Sequence, residues 1–87
     1  MKKVLKYQLP EVVTKIQLPA GSKFVHVAIQ NDVPTVWAET PNDFAGYEER
    51  TIETFGTGHL IPADAVYLAT LLMMNDALVL HFYEVLQ

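Results

Sequence analysis

Apolar and polar residues alternate with a period of two along most of this chain, and Pro, Gly and Asn-Asp interrupt the alternation at short intervals. That is the pattern of a small antiparallel β protein, in which successive side chains leave opposite faces of a strand. Residues 4–8 read as a first strand stopped by Pro10, and 12–18 as a second stopped by Pro19, before an Ala20-Gly21-Ser22 turn. Residues 23–30 alternate cleanly, with Val25, Val27 and Ile29 on the side expected to face the core and Phe24, His26, Ala28 and Gln30 on the other. Asn31-Asp32 supplies a hairpin turn into a strand over 34–40, with Pro34 tolerable as its first residue.

A loop over 41–47, rich in turn formers, leads to a strand over 48–55. Next comes Gly56-Thr57-Gly58-His59-Leu60-Ile61-Pro62, then a predicted single helical turn over 62–65, since Pro is preorganised for a first helical position. Residues 67–74 and 77–85 form a long hairpin around Asn75-Asp76. The second arm sets Leu78, Leu80 and Phe82 against Val79, His81, Tyr83 and Val85, so both faces are apolar and the strand is expected to be central or buried at an interface. The fold class predicted is all-β: a compact antiparallel sandwich or partly open barrel of about seven strands with one short helical turn, in a single domain over residues 1–87.

Composition narrows what such a fold can do. A chain of 87 residues with 51% hydrophobic and 18% charged residues is too apolar for intrinsic disorder. The absence of cysteine removes disulfides, thiolate metal sites and thiol nucleophiles together. No apolar run approaches the ~20 residues of a membrane span, and Lys2-Lys3 leads into no signal-type apolar block, so a cytoplasmic protein without membrane contact is expected. Domains this short bury only about 60% of their unfolded surface and are marginal alone, which favours a homo-oligomer.

Charge divides the chain. Five lysines against Glu11 make the first thirty residues +4, and nine carboxylates against Arg50 make the rest −8, giving the net −4. Duplex nucleic acid is therefore an unfavourable partner. Solvated faces with cross-strand ion pairs account for the asymmetry, as would a basic edge meeting an acidic face of a neighbouring subunit.

Only the three histidines exchange protons near neutral pH. His81, between Leu80 and Phe82, reads as a packed or interfacial imidazole, and His26 as a structural residue on a strand face. His59 is the candidate, because Gly56 and Gly58 let backbone N–H groups approach a ligand that Thr57 and His59 also reach. The competing reading is an ordinary wide turn whose glycines supply positive φ and whose histidine caps the next short helix. Trp37, Tyr47 and Phe55 flank this segment as possible stacking platforms, and Arg50 is a cation for a phosphate. No metal and no cofactor are expected, because no two histidines have ligand spacing. No Gly-x-Ser-x-Gly elbow occurs, and Glu48 and Glu49 point to opposite faces, so enzymatic activity is not expected; a hydrolase using His59 as base is the residual alternative.

The succession Leu18-Pro19-Ala20-Gly21, Val36-Trp37-Ala38, Glu48-Glu49-Arg50, Phe55-Gly56-Thr57-Gly58-His59-x-Ile61-Pro62 and Ala77-Leu78-Val79-x-His81 resembles a family of small all-β proteins of unknown function found in phages, prophages and actinobacterial genomes. The resemblance spans nearly the whole chain, and the Gly-Thr-Gly-His-x-Ile-Pro block is its most specific part. It departs at Leu71-Leu72-Met73-Met74, where a Phe-Gln pair is commoner. A phage-like origin implies a binding protein: either a counter-defence sponge sequestering a small nucleotide-derived immune signal, or a protein–protein interaction module such as a particle accessory or host-enzyme inhibitor. For the sponge, the expected ligand-binding residues are Gly56, Thr57, Gly58, His59, Arg50, Trp37 and Tyr47.

Overall fold

The structure is a computed structural model and describes residues 1–86. Seven strands follow one another: β1 (Lys2–Gln8), β2 (Val13–Pro19), β3 (Lys23–Gln30), β4 (Val33–Pro41), β5 (Tyr47–Gly56), β6 (Val66–Met73) and β7 (Leu78–Val85). They form two antiparallel sheets, one of three strands in the order β1-β4-β3 and one of four in the order β2-β5-β7-β6. The sheets pack as a sandwich and do not close into a barrel, which settles the two architectures the sequence left open. No helix is present among the described residues, so none crosses a membrane.

Pairing register explains the core. On β4, Val36 and Ala38 point inward with Leu5 and Tyr7 of β1 and with Val27 of β3. On the other sheet, Ile16 and Leu18 of β2, Ile52 of β5 and Phe82 of β7 answer them, and Leu9 completes the buried cluster. β7 lies between β5 and β6, the central position its two apolar faces require.

Two expectations need correction. Val25 was to share the core face with Val27, but the register slips between Phe24 and His26 and Val25 is exposed. This β-bulge inserts one unpaired residue, so Phe24 before it and Val27 after it both point inward; a face that alternates in sequence need not alternate in space once a bulge intervenes. The predicted helical turn over 62–65 is a β-turn, closed by the Ala65 N–H donating to the Pro62 carbonyl at 3.0 Å. Val66 and Tyr67 continue directly into β6, leaving too few residues to repay helix nucleation.

The turns follow side-chain chemistry. Asn31 and Asp32 have φ of 52° and 65°, the left-handed pair that a two-residue turn matched to strand twist requires. Between β2 and β3, the buried Ser22 hydroxyl donates to the Pro19 carbonyl at 2.6 Å and lies 3.1 Å from the Thr40 hydroxyl, fixing that turn to β4.

Candidate functional site

The residues expected to bind one ligand are distributed over three places. Trp37 lies on the solvent side of the three-stranded sheet beside His26, ring centroids 5.6 Å apart, with the core between it and β5. Tyr47 opens β5 and meets Phe44 edge-on at 5.2 Å. Burial, followed by the proximity of Tyr47, holds the Tyr7 phenol above its usual range.

Arg50 points toward the interior at the corner where β3 passes β6. Its Nε and Nη2 donate to the two Glu84 carboxylate oxygens at 2.5 and 2.7 Å, and its Nη1 donates to the Ser22 carbonyl at 2.7 Å. Glu48 adds a contact at 3.5 Å, and the guanidinium sits 4.7 Å above the Phe24 ring. The hydrogen bonds to Glu84 outweigh desolvation and raise the Arg50 pKa further above its already high ordinary value. An open cleft of about 310 Å³ lies over this pair, but its cation is already neutralised by protein carboxylates.

The Gly56-Thr57-Gly58-His59 turn follows β5 directly. The His59 ring folds back on it, Nδ1 accepting from the Gly56 N–H at 3.2 Å, while the His59 N–H donates to the Gly56 carbonyl at 3.2 Å. A Cβ at Gly56 would stand 3.0 Å from His59 Cε1, so glycine there lets the ring close. Gly58 has φ of +88° and open space where a side chain would begin.

What this turn meets is the outer face of the four-stranded sheet. The Thr57 hydroxyl lies 2.8 Å from His81 Nε2, His81 Nδ1 lies 3.0 Å from the Thr70 hydroxyl, and that hydroxyl lies 2.9 Å from the Tyr67 phenol. Four side chains from the turn, β7 and β6 thus form one hydrogen-bonded chain. Beside it, Tyr83 takes Phe55 and Tyr67 edge-on at 5.8 and 5.4 Å. Phe55 is only 8% exposed although it lies outside the core cluster, so the outer face carries a small packed layer of its own.

Chemically, this surface offers hydroxyls, one imidazole already bonded at both nitrogens, and aromatic rings. Arg50 is on the opposite face and adds no cation to it. Among the described residues no group of three His, Cys, Asp or Glu is placed to hold a metal ion. Sequence reasoning missed Thr70, Tyr67 and the doubly bonded state of His81. One signal was available: counting outward from Asn75-Asp76 sets Thr70 opposite His81, which is the observed pair.

Around this layer the β6–β7 hairpin exposes large apolar side chains. Tyr67 is 55% exposed, Leu72 53%, Met74 73% and Leu78 40%. Tyr67 and Leu72 share the outer face and Met74 sits at the turn, whereas Leu78 leaves the inner face with Leu80 and Phe82.

The model of a domain of unknown function, DUF7352, matches residues 1–87, and the chain belongs to that family. No curated protein and no solved structure matches it.

Proposed function

We propose that this protein is a non-catalytic binding module that engages a protein partner through the outer face of the β6–β7 hairpin. The observation that carries the reading is the exposure of Tyr67 and Leu72 on that face, with Met74 at the adjoining turn, beside a rigid aromatic layer. Aromatic and Met side chains on a scaffold already ordered lose little freedom on binding, which is why such surfaces supply interface anchors. The resemblance to small phage and prophage proteins gives this module a context as a particle accessory or an inhibitor of a host enzyme. A photo-crosslinking residue at Tyr67 tests it. A discrete adduct with another protein in cells, missing when the probe stands at Val4 on the opposite sheet, supports the reading; equal labelling from both positions, or none from Tyr67, overturns it.

The Thr57–His81–Thr70–Tyr67 chain favours a second reading, capture of a small nucleotide-derived signal. Hydroxyls and a phenol would bond ribose and base edges while the open Gly58 backbone admits close approach. Calorimetric titration with cyclic ADP-ribose isomers and cyclic dinucleotides checks it: saturable heat abolished by Thr70→Val supports capture, and no heat at high protein concentration overturns it.

A further inference from the structure

We infer that β6 is the strand through which two copies of this chain join, edge to edge, into one continuous eight-stranded sheet. The inference stands first on the backbone edge and shares only Leu72 and Met74 with the apolar surface invoked above, so the two readings are separated by the measurements below.

The two sheets have four edge strands, β1 and β3 in one and β2 and β6 in the other. An edge presents unpaired N–H and C=O groups, and proteins that stay monomeric blunt it with Lys, Pro, inward charge or bulges. β1 carries Lys2, Lys3 and Lys6; β2 carries Lys15 and Pro19; β3 carries Lys23 and the bulge at Val25. β6 reads Val-Tyr-Leu-Ala-Thr-Leu-Leu-Met, with no charge and no proline. Its one irregularity, the register shift between Tyr67 and Ala69, lies near its start, so residues 69–73 remain a regular run paired to β7 on one side only.

The occupant follows from that composition. A second copy offers the same uncharged strand, and antiparallel self-pairing sets no like charges opposite each other, a symmetric arrangement that any lysine in the run would penalise. Of the four edges, only β6 can pair with itself on these terms. Surface area points the same way: the chain exposes 5686 Å², against about 5,200 Å² for a monomer of 9.8 kDa. A standard interface takes roughly 800 Å² from each partner. Strand pairing over 69–73, with the exposed Leu72 and Met74 packed across the seam, supplies both backbone bonds and apolar burial. Because the two-fold axis of such a pair is perpendicular to the sheet, both outer faces lie on one side, and the two β7 strands stand about three strand spacings, ~14 Å, apart.

The test is sedimentation equilibrium of the whole chain, with amide exchange over residues 69–73. The expected result is a particle of twice the 9.8 kDa chain mass. Leu72→Lys and Leu72→Glu should each weaken dimerisation at least tenfold and raise exchange at 69–73, and mixing the two variants should restore the dimer, because opposite charges then meet across the seam. Leu60→Lys, at a 96% exposed loop position, should change nothing and controls for added charge. A wild-type monomer at concentrations of about 100 µM overturns the inference. So does a dimer that survives both Leu72 variants while circular dichroism shows them folded. A monomer whose Tyr67 probe still captures a partner would sink this proposal alone.

Discussion

Arg50 and Glu84 face each other from neighbouring strands β5 and β7 as a two-pronged ion pair, with side chains only 19% and 13% exposed. Fork geometry aligns two charge-assisted hydrogen bonds, and Ser22 O takes a third donor. Removing either partner leaves the other charge poorly solvated. Arg50→Ala or Glu84→Ala is expected to cost about 2 kcal/mol, between the values for exposed and fully buried pairs, and Arg50→Lys to recover only part of it. Urea unfolding at neutral pH checks the order. The pH dependence has a definite sign: with the Arg50 pKa raised on folding, its contribution is fully present below the ordinary guanidinium range and lost only above it. Mild alkali should therefore leave this pair intact.

The Asn31-Asp32 turn is improvable. Asp32 holds φ of 65°, a conformation glycine adopts without a Cβ penalty. Asp32→Gly would create Asn-Gly, the preferred pair for this turn, and should raise stability by about 0.5–1 kcal/mol, visible as a higher melting temperature.

At the turn after β5, two glycines should behave differently on substitution by alanine. Gly58→Ala meets no neighbour but forces a side chain to φ of +88°, costing about 1–2 kcal/mol from the backbone alone. Gly56→Ala would push the His59 ring off its bond with the Gly56 N–H, so the nitrogen chemical shifts of that imidazole should move. An unchanged His59 spectrum in Gly56→Ala would contradict the folded-back ring.

Thr70→Val removes the hydroxyl between His81 and Tyr67 while keeping the branched shape. A cost of about 1 kcal/mol is expected, together with a change in the tautomer balance of His81 read by nitrogen NMR. Thr57→Val should act on the other ring nitrogen. If neither variant altered the imidazole signals, the four-membered chain would be refuted.

Much of the fold was legible because its signals are local. Each strand was recognisable from two-residue alternation and each hairpin from its turn, and counting from Asn31-Asp32 pairs His26 with Trp37 as observed. Legibility stopped at the bulges. The slip at Leu68 brings Tyr67, rather than Leu68, opposite Tyr83, so the aromatic contact that anchors the outer face had no trace in the spacing. Arg50 reads from sequence as a cation for a phosphate because its partner lies 34 residues away on a strand joined by no direct turn. Trp37 was grouped with the Gly-Thr-Gly-His turn by proximity in sequence, whereas sheet order places them on different layers. Long-range register, not residue chemistry, was the missing information.

The position of β7 also governs how the protein can be made. β5 and β6 are translated first yet touch the same later strand, one on each side. A ribosome must therefore deliver residue 85 before the larger sheet has its middle, and until then β5 and the apolar β6 lack the strand that joins them. Assembly of that sheet is a final insertion rather than a progressive zipping, and slow translation through residues 66–85 would lengthen the interval in which the nascent chain is most open to chaperones or to a neighbour emerging from the same message.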